Sequence, residues 1–137
     1  FSEVFRANKG FDVVIGNPPY VRQEAIKELK PALKSGGYEC FTGTADLYVY
    51  FFERGVKLLR AAGTLAYISS NSFLNSGFGE KLRRYLTENT RIRLLIDVIF
   101  DVRFFGHGGL DVAGALVHQG SETGTVPAPG QFRPNQL

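Results

Sequence analysis

The feature that most constrains this sequence is a regular alternation between short apolar runs and longer amphipathic segments. The first run is rich in β-branched residues and stops at a Gly-Asn-Pro-Pro turn, which is typical of a buried strand. Strands that alternate with helices of about 12 residues indicate βαβ units. The chain is therefore predicted to be α/β, with a mostly parallel sheet that helices cover on both faces. The predicted strands are residues 11–15, 64–68, 92–96 and 112–117, and the predicted helices are residues 22–34, 47–60 and 78–89.

Two of the predicted helices differ in strength. Residues 47–60 have a wide apolar face, with Asp46 as the predicted N-cap and Gly63 after the end. Residues 22–34 contain Pro31 and run into two glycines, so a weak or broken helix is expected there. The short stretch before the first strand is interpreted as a lead-in to that strand, and the stretch after the second strand as a loop.

Length and composition limit the functional classes. A chain of 137 residues predicts one domain, and 44% hydrophobic residues is ordinary for a soluble globular protein. No apolar run approaches the roughly 20 residues that span a bilayer, so a membrane role is not expected. Cys40 is the only cysteine, which excludes an intrachain disulfide and fits a reducing cytoplasm. The formal charge of +3 tolerates a polyanionic partner without requiring one.

The turn Asn17-Pro18-Pro19-Tyr20 has the residue types that methyl transfer to a conjugated amine requires. The lone pair of such an amine is delocalised into its ring, and acceptors facing its two N–H groups help the nitrogen to pyramidalise during attack. The side-chain oxygen of Asn17 and the backbone oxygen of Pro18 supply two adjacent acceptors, and two prolines keep the turn stiff. The same four residues also make an ordinary turn, and spacing alone leaves that alternative open.

Tyr20 follows the proline pair, where a flipped base would need an aromatic partner. An exocyclic amine inside a duplex is out of reach, and extruding its base costs a few kcal/mol, part of which stacking on an aromatic face offsets. The turn also follows a buried strand, and ligands of open α/β sheets bind beyond the carboxyl ends of strands. Together these features favour a site for a planar base.

Residues 11–24 (FDVVIGNPPYVRQE) resemble motif IV of the N6-adenine DNA methyltransferases, especially those of type II and type IIG restriction-modification systems. The resemblance continues through residues 45–53 and 63–73 and covers about residues 8–97. It implies a Rossmann-like, S-adenosyl-L-methionine-dependent methyltransferase fold, of which this chain would hold the half with motif IV and the later strands. It also implies adenine-specific methylation of double-stranded DNA, with the adenine flipped out, in a restriction-modification or phage-defence system.

The resemblance assigns roles to the residues of the turn. Asn17 and the Pro18 carbonyl would hold the target amine, with Pro19 completing the rigid turn. Tyr20 would stack on the flipped adenine. Asn17 would also contribute to cofactor binding.

Two further aromatic residues receive roles by resemblance. Phe51 would help to wall the pocket for the adenine of S-adenosylmethionine, with simple core packing as the alternative. Phe105, with Phe104 as the next choice, would be the second aromatic to contact the flipped base, and a structural role is the alternative there. His107 and His118 have no metal-ligand partners at useful spacing, so no metal is expected.

The chain departs from the family pattern in two ways. The Gly-rich cofactor loop and the acidic residue that holds the ribose belong upstream of the turn, and only sixteen residues precede Asn17. No target-recognition domain follows. The expected partners therefore include an N-terminal cofactor-binding half and a target-recognition domain of the same polypeptide, without which strand residues 13–15 would expose an apolar edge. Residues 1–118 are interpreted as a partial catalytic domain, and residues 119–137 as a flexible tail rich in Gly, Pro, Ser and Thr.

Two other functions stay open. Asn-Pro-Pro-Tyr also serves methylation of glutamine side-chain amides and of RNA bases, since those nitrogens are similarly conjugated. The third alternative is a non-catalytic fragment with a basic surface facing nucleic acid, although such charges are more often a solvated helix face. Asp12 and Glu53 are expected to cap or to pair with a base such as Arg54. The residues of the basic surface would be Lys81, Arg83, Arg84, Arg91 and Arg93.

Overall fold

The computed structural model describes residues 2–99 and 111–118. The helices are α1 (Ser2–Asn8), α2 (Lys30–Ser35, preceded by a 3-10 turn at Lys27–Leu29), α3 (Leu47–Leu58), α4 (Ser72–Asn75) and α5 (Glu80–Asn89). The strands are β1 (Phe11–Gly16), β2 (Leu59–Ser70), β3 (Arg91–Ile99) and β4 (Asp111–His118). All four predicted strands and all three predicted helices are present, with shifted ends.

The four strands form one sheet in the order β1-β2-β4-β3. Strand β1 runs parallel to β2, with Gly16 opposite Tyr67. Strand β4 lies between β2 and β3 and is antiparallel to both. Strands β1, β2 and β3 therefore share one direction, and β4 alone runs the other way, which agrees with the predicted α/β architecture and its mostly parallel sheet.

The core lies between the sheet and the helices on one of its faces. Helix α3 packs on β1 and β2, and α5 packs on α3 and β3. Along β2 the side chains of Leu65, Tyr67 and Ser69 are buried, whereas those between them are more exposed, as expected when alternate residues of a strand point to opposite faces. Helix α5 buries Leu82, Tyr85 and Leu86, the face that its periodicity predicts.

The other face of the sheet is uncovered in the part of the chain that the structure describes, which we call the open face. Its side chains are large and apolar, yet Ile15 is 78% exposed and Val13 53% exposed. The prediction of helices on both faces is therefore wrong for residues 2–99 and 111–118, although the apolar character that motivated it is present. Strand β1 also forms an edge of this sheet. The residues of the open face are Val13, Ile15, Ile68, Leu94 and Ile96.

The start of the chain differs from its prediction, since residues 2–8 form helix α1 and not a strand lead-in. Glu3 in its first turn and Arg6 in its last complement the helix dipole. The helix is separated from β1 by Lys9 (φ 58°) and Gly10 (φ 142°), a turn for which glycine is well suited. The predicted loop after β2 contains α4, a single helical turn.

The segment after β1 confirms the expected broken helix. It contains a 3-10 turn and then α2, with Pro31 in the first turn of α2, where its missing N–H is not needed. The helix ends where the N–H of Gly36 donates to the carbonyl of Ala32 (2.8 Å). Pro31 thus begins the helix and does not interrupt it.

Gly79, at the start of α5, is packed against the backbone of α4. A Cβ there would lie 2.1 Å from the carbonyl oxygen of Phe73, a backbone atom that cannot rotate away. We expect Gly79→Ala to lower the free energy of unfolding by about 2–3 kcal/mol, as overpacking does. Urea-induced unfolding measures this, with Gly77→Ala as the matched control, since nothing lies within 4 Å of a Cβ at Gly77. Equal effects of the two substitutions would show that α4 and α5 do not pack this closely.

Candidate active site

The candidate site lies where β1 and β2 end. Because the two strands are parallel and Gly16 pairs with Tyr67, their carboxyl ends meet at the same edge of the sheet. The turn of Asn17, Pro18, Pro19 and Tyr20 leaves β1 at this edge. This is the position at which open α/β sheets bind ligands.

The turn presents two hydrogen-bond acceptors that the rest of the described chain does not use. The N–H of Val21 donates to the carbonyl of Pro19 (2.9 Å), so that oxygen is already engaged. The carboxamide of Asn17 and the carbonyl of Pro18 have no hydrogen-bond partner among the described residues. Pro18 is buried and packs into the protein, whereas Asn17 is exposed to solvent.

Tyr20 is partly buried beside the turn. Burial raises the pKa of its phenol, which is therefore uncharged at neutral pH. No aromatic ring packs against Tyr20 in the part of the chain that the structure describes.

Phe51 lies at the same edge of the sheet and outside the core. It is 40% exposed, whereas its neighbours Tyr50 and Phe52 are buried. The side chain of Tyr67 lies between this position and the end of β1. Its ring packs closely on Gly16, where an added Cβ would lie 3.0 Å from Cε1 of Tyr67. The hydroxyl of Tyr67 donates to the carbonyl of Phe51 (3.4 Å). Phe51 therefore does not pack in the core of the described residues, and its role in the cofactor pocket stays a prediction.

Glu53 is fully buried and pairs with a base, as expected, although the base is Lys57 and not Arg54. Its carboxylate accepts hydrogen bonds from the backbone N–H groups of Glu39 (3.0 Å) and Cys40 (2.8 Å), and from Nζ of Lys57 (2.6 Å). Burial raises the pKa of this carboxyl, but the hydrogen bonds from Lys57, Cys40 and Glu39 outweigh burial and lower it overall. Adjacent residues in a helix point in different directions, which is why Arg54 cannot reach this position. Glu53 thus fastens the segment before α3 to the helix.

Asp12 pairs with a base, as expected. Its Oδ1 accepts a hydrogen bond from Nε of Arg60 (2.7 Å), and both side chains are exposed. This pair lies at the amino end of β1, away from the candidate site. Neither Asp12 nor Glu53 is therefore placed to act on a ligand at the turn.

Asp46 occupies the predicted N-cap position of α3, but its side chain makes no capping hydrogen bond. Its Oδ1 instead accepts from the backbone N–H of Gln23 (2.8 Å). The N–H of Leu47 donates to the carbonyl of Val21 (3.0 Å). The start of α3 therefore holds the segment that follows Tyr20. Sequence reasoning missed this contact, because no local pattern links residues that are 23 positions apart.

Two of the five residues in the predicted basic surface have structural roles. Nζ of Lys81 donates to the carbonyl of Phe41 (2.9 Å), and Nη1 of Arg83 donates to the carbonyls of Phe73 (2.5 Å) and Ser76 (2.9 Å). The Arg83 contacts join α5 to α4 and its end, and the Lys81 contact joins α5 to the segment before α3. The basic residues of α5 are thus not simply a surface for nucleic acid.

Some predicted features lie outside the described residues. Phe104, Phe105 and His107 are among them, and so is the predicted tail at 119–137. Within residues 2–99 and 111–118, no helix is long and apolar enough to cross a membrane. In the same ranges, no group of three His, Cys, Asp or Glu side chains is arranged to hold a metal ion.

Solved structures identify the fold as that of the class I S-adenosylmethionine-dependent methyltransferases. A protein assigned to that class from Listeria monocytogenes has a TM-score of 0.59 at 16% identity, over 87% of this chain and 35% of its own. The M protein of the type I restriction enzyme EcoKI has a TM-score of 0.55 at 15% identity, over 82% of this chain and 21% of its own.

Sequence comparison then gives the family. Residues 1–105 match the Eco57I restriction-modification methylase family, and the chain belongs to it. The type II methyltransferase M.BstVI of Geobacillus stearothermophilus is 41% identical over 88 residues, which cover 64% of this chain and 16% of the relative. The restriction enzyme and methyltransferase RM.Eco57I of Escherichia coli is 36% identical over 92 residues, which cover 65% of this chain and 9% of the relative. The chain thus spans less than a fifth of the length of these relatives.

Proposed function

We propose that this chain is the catalytic region of an adenine-specific DNA methyltransferase of a restriction-modification system. The observation that carries the proposal is the pair of unused acceptors, the Asn17 carboxamide and the Pro18 carbonyl, at the carboxyl edge of the sheet. Membership of the Eco57I restriction-modification methylase family supports it. The proposed reaction transfers a methyl group to N6 of an adenine that is flipped out of double-stranded DNA.

The two acceptors would act on the target amine. As the N6 nitrogen attacks, its hydrogen atoms become more acidic and their bonds tilt out of the base plane, and acceptors already in position stabilise that change. Pro18 and Pro19 fix the backbone of the turn, so little reorganisation is needed when the base arrives. The nitrogen needs no general base before attack, since the methylated amine loses its proton readily to water.

Two aromatic residues would bind planar groups. Tyr20 is partly buried and uncharged, and we assign it to stacking on the flipped adenine. Phe51 is exposed at the same edge, and we assign it to the wall of the pocket for S-adenosyl-L-methionine, to which Asn17 would also contribute. An exposed aromatic ring beside the turn fits the adenine ring of that cofactor. The cofactor supplies a methyl group on a positively charged sulfur.

We further propose that the chain works inside a longer polypeptide. The open face exposes large apolar residues across three strands, and β1 leaves one edge of the sheet unpaired among the described residues. Exposed apolar patches of this kind mark surfaces that another structural element covers. The family relatives are several times longer than this chain. A cofactor-binding segment of the same polypeptide is the proposed cover, and a target-recognition domain is the proposed source of DNA specificity.

The substrate class can be tested with labelled methyl donor. The complete protein would be incubated with S-adenosylmethionine carrying a tritiated methyl group and with double-stranded DNA, RNA or a protein release factor in separate reactions. We expect label only in DNA, and N6-methyladenine as the modified nucleoside in mass spectrometry. Label in a glutamine amide or in RNA would replace the DNA proposal. No label in any substrate would favour a non-catalytic role.

A further inference from the structure

We propose that Asp46 is a positioning residue for the candidate active site, because it fixes the segment that follows Tyr20. This inference rests on the proposed function, since it assigns Asp46 to the same reaction. Its role would be indirect: the carboxylate contacts the chain beyond the turn and would not touch the base or the cofactor.

A continuous set of hydrogen bonds joins the turn to the start of α3. The N–H of Val21 donates to the carbonyl of Pro19 (2.9 Å), and the carbonyl of Val21 accepts from the N–H of Leu47 (3.0 Å). The N–H of Gln23 then donates to Oδ1 of Asp46 (2.8 Å). The first of these bonds spans Tyr20, because it joins the residues on either side of it. Its backbone is therefore held on both sides, by the sheet before it and by α3 after it.

The carboxylate of Asp46 accepts from the N–H of Gln23 and not from the first turn of its own helix. Asp46 has the extended backbone of an N-cap residue (φ −72°, ψ 160°), and side chains at that position ordinarily accept from the first turn of their helix. Here the side chain makes no such bond, and its charge is directed to a backbone N–H on another segment. Hydrogen bonds to a charged acceptor are among the stronger ones in proteins. The contact therefore selects one arrangement of the segment after Tyr20.

A second contact limits movement of the same segment. Nζ of Lys30 donates to the side-chain oxygen of Gln23 (2.5 Å) and to the carbonyl of Gly43 (2.6 Å). Residues 23–45, which separate the turn from α3, are called the insert. Gln23 at its start is thus connected through Lys30 to Gly43 near its end. Asp46 stands where that insert rejoins the helix. Loss of its carboxylate would leave the N–H of Gln23 without this acceptor. Apart from the adjacent Glu24, the side-chain contact that remains to Gln23 is then the one from the flexible Lys30.

The test compares Asp46→Ala with Asp46→Asn in the complete protein. Asn keeps an acceptor oxygen for the N–H of Gln23, whereas Ala has none. Displacement of a stacking ring by about 1 Å can lower a rate on the order of 100-fold. We expect Asp46→Ala to lower kcat for DNA methylation by about 10- to 100-fold, with KM for S-adenosylmethionine changed less than threefold. Asp46→Asn should restore most of the rate.

A second measurement does not depend on turnover. Amide hydrogen exchange of the peptide that covers residues 20–24 should become faster in Asp46→Ala and stay near that of the wild type in Asp46→Asn. Asp12→Ala is the matched control. It also removes a paired carboxylate, but this one is exposed, pairs with Arg60 and lies at the amino end of β1, away from the turn. That control should change neither the rate nor the exchange of residues 20–24.

The outcomes separate this inference from the proposed function. If the wild-type protein makes no N6-methyladenine, the proposed function fails, and the exchange measurement still decides whether Asp46 holds the segment. If the wild type is active but Asp46→Ala keeps its kcat, or if exchange of residues 20–24 is unchanged, the positioning role is overturned. Equal loss of activity in both variants together with a large fall in Tm would also overturn it, because the residue would then be needed only for folding.

Discussion

Replacing Asn17 with alanine in the complete protein is expected to lower kcat for adenine methylation by about 100- to 1000-fold, the effect of removing one preorganised group that stabilises a transition state. The side chain is exposed and has no hydrogen-bond partner among the described residues, so its loss leaves no buried group unpaired. Stability should therefore change by less than about 0.5 kcal/mol. Single-turnover methylation and thermal unfolding measure the two quantities in the same preparation.

Two further variants make the result for Asn17 specific. Asn17→Asp keeps an oxygen acceptor at the same place and should retain a rate within about tenfold of the wild type, in line with the strength of a single hydrogen bond. Asn8→Ala removes an exposed amide before the amino end of β1 and should leave the rate unchanged. An Asn17→Ala protein that methylates adenine at the wild-type rate would contradict the role of the turn in catalysis.

The second large effect concerns stability. Glu53→Ala is expected to lower the free energy of unfolding by about 2–4 kcal/mol, because it leaves two backbone N–H groups beside the buried carboxylate without an acceptor. These are the N–H groups of Glu39 and Cys40, for which the described residues provide no other acceptor, and the substitution also removes the buried partner of Lys57. Chemical denaturation measures this loss. Glu39→Ala is the matched control, since that carboxylate is exposed and lies 3.6 Å from Lys57, and it should cost no more than about 1 kcal/mol.

The contribution of Glu53 should also depend on pH. Folding lowers the pKa of this carboxyl below its ordinary value of 4.5, so the unfolded chain binds the proton more readily than the folded one. The stabilisation is therefore fully present above the unfolded pKa and is lost as the pH falls below 4.5 through the folded value. Between pH 7 and pH 3 the difference in stability between the wild type and Glu53→Ala should shrink. A difference that stays constant over this range would mean that Glu53 is not held as a carboxylate.

The parts of the fold that the sequence predicts are those with local signals. Short β-branched runs bounded by glycine and proline predict β1 and β2, and apolar periodicity predicts α3 and α5. The position of the turn after β1 is predicted because glycine and two prolines follow the strand directly, whereas the chemical role of the turn stays a prediction. Such signals depend on neighbours a few positions away, so a single sequence shows them directly.

The partners of buried and capping carboxylates are not predicted. Asp46 was expected to cap its own helix, and Glu53 to cap or to pair with a base. Glu53 does pair with Lys57, but both carboxylates also accept from backbone N–H groups of the preceding insert, which was not predicted. A backbone N–H has no side-chain signature, so no residue type indicates that it will be the donor. The contacts appear only when the insert folds back on α3. The open face has a similar explanation: the apolar pattern predicts that something covers it, but the pattern does not say which segment does so.

The way in which the insert is anchored has a consequence for sequence variation. Glu53 and Asp46 hold it through the main chain at Glu39, Cys40 and Gln23, so exchange of those three side chains need not disturb these particular bonds. Most of the other insert side chains face solvent. A segment of this kind can accept new surface side chains while its path stays fixed, so relatives could differ in what they contact beside the candidate site and keep the same turn after β1.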